Sequence, residues 1–87
     1  MDEDLIKYVK RSTYRQKILK SLDGEVLIPI EISKRTGIKI HHLSKVLAEL
    51  KSKDLIEIIN PEVRKGRLYR LKEDGKEMVE YLKNLDD

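Results

Sequence analysis

Apolar residues recur along this chain at two spacings, and the switches between them mark out its elements. From Ile40 to Ser52, at about 100° per residue, Leu43, Val46, Leu47 and Leu50 gather on one side of a helix, with Ile40 at its edge. The opposite side carries His41, Ser44, Lys45, Ala48 and Ser52, with His42 on one flank. A second helical stripe, Ile18, Leu19 and Leu22, follows Ser12 and Thr13, either of which can cap it, Thr13 as Thr-x-x-Gln with Gln16. Asp23-Gly24 ends that helix, and "EVLI", Glu25 to Ile28, is a short β-prone run. Pro29 suits a first helical turn, so another helix carries Ile32 and stops at Gly37. Further on, "LIEII" (Leu55 to Ile59) and "RLYRL" (Arg67 to Leu71) read as antiparallel strands around the loop "NPEVRKG". A final helix is expected from about Gly75 to Leu85, with Met78, Val79, Leu82 and Leu85 along one stripe, and a short helical turn behind Asp4 holds Leu5, Ile6, Tyr8 and Val9. Ile30, one residue after Pro29, has no place in these stripes.

A length of 87 residues suits one domain, 1–87, with residues 1–11 as an N-terminal extension and 74–87 as a C-terminal helix. The hydrophobic fraction of 39% against a charged fraction of 40%, with no Phe or Trp, describes a small, highly charged helical domain with an Ile/Leu core. No apolar run approaches the length of a membrane span, and the start "MDEDLIK" lacks the basic and apolar regions of a signal peptide, so a cytoplasmic protein is expected. The absence of cysteine removes disulfides, thiolate metal sites and thiol switches. Abundant Lys, Glu and Ile with few Asn, Gln and Met lean towards a thermophile.

The net charge of +3 is small, but its distribution is uneven. Residues 7–20 hold six bases and no acid, residues 64–72 hold five bases and no acid, and residues 73–87 hold six acids against two lysines. Such segregation suits a polyanionic partner.

The order of elements, together with "YRQKILKSL", "IPIEISKRTGIKIHHLSKVLAELKSKDLIE" and "NPEVRKGRLYRLKEDGKEM", resembles the winged helix-turn-helix of MarR/ArsR-like regulators, particularly compact archaeal ones. The resemblance implies a mostly α fold with a small β-hairpin: a three-helix core plus a C-terminal helix. It makes residues 39–52 the recognition helix, presenting Lys39, His41, His42, Ser44 and Lys45 to the major groove of double-stranded DNA. The hairpin from Ile56 to Leu71 becomes the wing, whose basic tip within residues 60–67, Arg64, Lys65 and Arg67, lies on the backbone or in the minor groove. Two departures stand out: Lys39 replaces a Ser or Thr cap, and Asp54 replaces the glycine that usually ends the recognition helix. By its helical angle Lys39 projects towards the inner side.

The chemistry of these residues is consistent with that implication. Cations are needed for phosphates, and a helix must be slim to enter a groove about 12 Å wide. Lys45 can donate to guanine or phosphate, the histidines to base edges or phosphates, and Ala48 permits close approach or meets a thymine methyl. Arg11, Arg15 and Lys17 are further candidates for phosphate contact. A metal site at His41 and His42 is disfavoured, because adjacent helical residues diverge whereas zinc helices place histidines four apart. As imidazoles they change charge near neutral pH, which makes them a candidate pH switch. There is no cysteine, phosphate-binding glycine motif or carboxylate pair near a histidine to support catalysis, and no cofactor or small-molecule effector is evident. Tyr81, Leu82 and Leu85, with Leu5, Ile6 and Tyr8, are expected to pack on a second copy in a homodimer. The competing expectations are a winged-helix protein-interaction module in a transcription or replication assembly, and a sequence-indifferent DNA-coating protein.

Overall fold

In the computed structural model, which describes residues 2–86, each of the first three helices opens on a side-chain cap or a proline that suits its terminal backbone groups. Helix α1 (Glu3–Lys10) is capped by Asp2, whose carboxylate accepts from the Asp4 amide at 2.9 Å; Asp4 itself lies in the first turn. Helix α2 (Thr13–Ser21) takes Ser12 rather than Thr13 as its cap, with Ser12 Oγ accepting from the Arg15 amide at 3.2 Å. Helix α3 (Pro29–Thr36) opens on proline and stops at Gly37, whose φ of 77° lies in the left-handed region that favours glycine. Helix α4 (Ile40–Ser52) has the bounds expected of it, and Asp54 beyond it adopts a φ of 59°, taking the backbone role usually given to glycine.

A two-stranded antiparallel hairpin follows, β1 (Ile56–Ile58) with β2 (Tyr69–Leu71), in the register Ile56 to Leu71 and Ile58 to Tyr69. Both strands are shorter than the apolar runs suggest. The "EVLI" run adds one bridge, in which Leu27 and Tyr69 exchange backbone bonds of 3.1 and 2.8 Å. Helix α5 (Glu73–Asp86) starts two residues before the expected Gly75. Gly75 sits inside the first turn because the helix rests on the chain entering β1, where a Cβ at this position would run into the Leu55 carbonyl oxygen. Here glycine serves packing rather than a turn.

The core is aliphatic throughout. Val9, Ile18, Leu19, Ile32, Ile38, Leu43, Leu50, Leu55 and Met78 are fully or almost fully buried, and no polar side chain among the described residues joins them. Leu82, expected at a subunit interface, is also buried within its own chain as part of the core, and α5 packs against α2 and β2. Leu85, one turn later, is half exposed. Ile30 is likewise half exposed on α3. No helix among the described residues is long and apolar enough to cross a membrane.

Candidate nucleic-acid interface

Helix α4 is anchored from beneath. Leu43, Val46, Leu47 and Leu50 are all buried, and α4 packs against α3, α2 and β1. The turn that leads into it is fixed by hydroxyls: Ser33 donates to the Ile38 carbonyl at 2.6 Å, and Thr36 Oγ1 accepts from the Ile38 amide at 3.2 Å. The anchor turns His41, His42, Ser44, Lys45 and Ala48 to solvent together. Lys39 is exposed as well, contrary to its helical angle. It is the N-cap, with φ −65° and ψ 144°, so the angular step of the helix does not apply to it. No side chain caps this end, and the His42 and Leu43 amides both donate to the Lys39 carbonyl at 3.0 Å.

The two histidines do not diverge as far as their backbone step suggests. Their ring centroids lie 4.1 Å apart with planes tilted by 44°, and the ring of Tyr14 from the first turn of α2 stands 6.1 Å from that of His42. Three exposed aromatic rings from two helices therefore adjoin at the start of α4. Tyr14 was invisible to sequence reasoning because only the packing of α2 on α4 brings it there. Among the described residues no three His, Cys, Asp or Glu side chains are grouped so as to hold a metal ion.

Of the basic residues near the start of α2, Arg11 and Lys17 are exposed, but Arg15 is not available to an external anion. Its guanidinium lies 3.6 Å above the Tyr8 ring, donates to the Tyr8 carbonyl at 2.7 Å and stands 3.6 Å from the Glu49 carboxylate. This arginine ties α1 to α2 and α4, with Lys53 Nζ also 5.0 Å from the same ring.

The second basic region, the hairpin loop, is held by polar bonds instead of a core. The Ile59 amide donates to the Leu68 carbonyl at 3.0 Å, continuing the hairpin one step past β1. The returning Leu68 amide then donates not to Ile59 but to Asn60 Oδ1, at 2.7 Å, while Asn60 Nδ2 donates to the Gly66 carbonyl at 3.2 Å. Arg67 Nε donates to the Val63 carbonyl at 2.7 Å. Arg67, expected at the tip with the other two cations, is thus half-buried across the base of the loop. Arg64 and Lys65 are exposed, with no ion-pair partner among the described residues. Below them, Arg70 and Glu57 face each other across the strands at 2.8 Å.

No known family profile and no curated protein matches the chain by sequence. Solved structures share its fold. A MarR family transcriptional regulator from Silicibacter pomeroyi superposes on 95% of this chain and 60% of its own, with a TM-score of 0.78 and 14% identity. A mutant MarR from E. coli, solved in complex with operator DNA, matches 92% of this chain and 59% of its own at a TM-score of 0.75 and 24% identity. A predicted DNA-binding transcriptional regulator from E. coli matches 94% of this chain and 86% of its own, with a TM-score of 0.77 and 23% identity. The chain spans about three-fifths of the length of the first two. At these identities the likeness establishes the winged helix-turn-helix fold: α3 and α4 are the two helices of the motif and the β1–β2 hairpin is the wing.

Proposed function

We propose that this chain is a sequence-selective DNA-binding regulator of transcription. The observation that carries this reading is the division of α4: four buried aliphatics hold it down, while Lys39, His41, His42, Ser44, Lys45 and Ala48 share its exposed side. A slim, basic face on a helix anchored in the core is what major-groove readout requires, because base edges are discriminated only by donors held in register. Arg64 and Lys65 of the wing supply phosphate or minor-groove contacts, which add affinity with little base choice. Arg67 supports them from within the loop. Such a partner places the protein in the cytoplasm, and the Lys/Glu/Ile-rich composition fits a compact regulator of a thermophilic archaeon.

The protein binds as a homodimer in this reading, through the half-exposed Leu85 at the end of α5 and the partly buried Leu5 and Ile6 of α1. A two-fold dimer requires pseudo-palindromic half-sites one helical turn or more apart. Sedimentation at tens of micromolar that shows only monomer would remove the dimer while leaving DNA binding open.

The deciding experiment is selection from a random duplex library, followed by titration of the winning and a scrambled duplex across a salt series. Preference for the winner by about 10³ or more, with a steep salt slope, is the expected result. Equal binding of both duplexes would make the protein a DNA-coating factor. No binding at low salt would make it a protein-interaction module.

A further inference from the structure

We propose that Asn60 and Arg67 are positioning residues of the wing: they preform its loop so that Arg64 and Lys65 meet the duplex without a folding step. The proposal rests on the reading that the wing tip contacts DNA.

The loop has no apolar reason to be ordered. None of residues 60–67 belongs to the buried core, and the hairpin ladder ends one step past β1. A solvent-facing loop of this length would otherwise sample many conformations, and fixing a residue's backbone costs about 1–2 kcal/mol. Three side-chain bonds restrain it instead. Asn60 bonds at once to the Leu68 amide and the Gly66 carbonyl, on the returning arm of the loop. Its own carbonyl accepts from the Val63 amide at 3.2 Å, closing a turn at Pro61-Glu62. Arg67 then reaches back to the Val63 carbonyl at 2.7 Å. Gly66, with φ 71°, supplies the left-handed residue that lets the chain reverse between Lys65 and Arg67.

All of these bonds lie on residues flanking Arg64 and Lys65, and none of them uses either cation. The tip is held at both ends with its two charged side chains left unengaged. Asn60 has both its amide oxygen and its amide nitrogen bonded within the loop, and Arg67 has its Nε committed there, so neither residue needs to touch DNA to affect binding. Their effect passes through the ordering cost that binding would otherwise carry.

The test is a double-mutant cycle. Asn60→Ala, Arg67→Ala and the pair Arg64→Ala with Lys65→Ala are made singly and combined, and each is titrated with a random-sequence duplex of about three helical turns at low salt. Asn60→Ala and Arg67→Ala should each weaken binding about three- to tenfold in the otherwise unchanged protein, as expected for lost pre-organisation. In the protein already lacking Arg64 and Lys65, the same substitutions should change binding less than twofold. Hydrogen exchange of the Leu68 amide should accelerate in Asn60→Ala while core amides stay protected, which separates loop disorder from loss of the fold.

No effect of either variant on binding overturns the proposal. So does an equal effect in both backgrounds, which would mean direct contact or a change in the fold. If removing Arg64 and Lys65 together leaves binding intact, the assignment of the wing tip to DNA fails, and the positioning role fails with it.

Discussion

Two exposed basic surfaces, the outer face of α4 and the tip of the wing, are built by opposite means. Under α4 lie four buried aliphatic side chains in contact with other elements, so its orientation is a property of the whole core. Under the wing tip, the described residues provide a short ladder with its bridge to Leu27 and the bonds of Asn60 and Arg67, with no residue of 60–67 in the buried core. Stability is not uniform in a fold, and a region with few buried contacts opens without global unfolding. In the proposed function, the helix that reads bases is therefore tied to global stability, while the loop that meets phosphates is restrained by local bonds alone.

The largest break in that comparison comes from removing the anchor. Leu43→Ala deletes a fully buried side chain beneath α4 and should cost about 2–5 kcal/mol of stability, lowering the melting temperature with it. Duplex binding and fold should be lost together on warming. If Leu43→Ala melts like the unchanged protein, α4 is not held in the way described.

How much of this contrast is legible in the sequence follows the same division. The bounds of α4 could be read because its stripe has a long helical period, and those of α3 because Pro29 and Gly37 mark its ends. The wing could be placed but not detailed. Its strands stop early because the side chain of Asn60 takes the amide that an unbroken ladder would pair, a bond that depends on loop conformation rather than periodicity. Arg67 has the composition of a contact residue, and only the path of the loop turns it inward. Arg15 is similar: its role depends on α1 folding back to place the Tyr8 ring beneath its guanidinium. Leu82 continued an apolar stripe correctly, but the stripe alone could not say whether this chain or another covers it.

Gly75→Ala probes the joint between the two regions. The added methyl would meet the Leu55 backbone just before β1, so α5 or the hairpin must shift. A loss of about 1–3 kcal/mol is expected from this overpacking, less than for the anchor of α4, and hairpin amides should lose more exchange protection than those of α4. Unchanged stability would mean that the approach of α5 to Leu55 is looser than described.

Binding should separate the surfaces directly. Lys45→Ala should narrow the preference between the selected and scrambled duplexes by about 1–3 kcal/mol, as for loss of a base contact. Arg64→Ala should weaken both duplexes alike and reduce the salt slope by about 1. If Lys45→Ala leaves affinity and preference intact, the groove assignment of α4 is wrong. If Arg64→Ala changes preference instead, the wing reads sequence and the contrast between the surfaces disappears.

The smallest expected effect lies in the scaffold away from both surfaces and serves as the control. Lys83 on α5 stands 2.5 Å from the Asp23 carboxylate beyond α2, and this hydrogen bond and charge raise the lysine's pKa above its ordinary 10.5. A raised folded-state value means that the folded protein holds the proton more tightly than the unfolded chain does. The contribution is therefore complete at pH values below 10.5 and disappears as pH rises through the higher folded value. Both side chains are about half exposed, so solvent screening keeps the effect small. Asp23→Ala should lower the melting temperature slightly and by a constant amount at neutral pH. That difference should shrink to nothing in strongly alkaline buffer, while duplex affinity and preference at neutral pH stay those of the unchanged protein. A change in affinity would show that the position of α5 reaches the binding surfaces, and that neither α4 nor the wing is as independent of the scaffold's far end as their local supports imply.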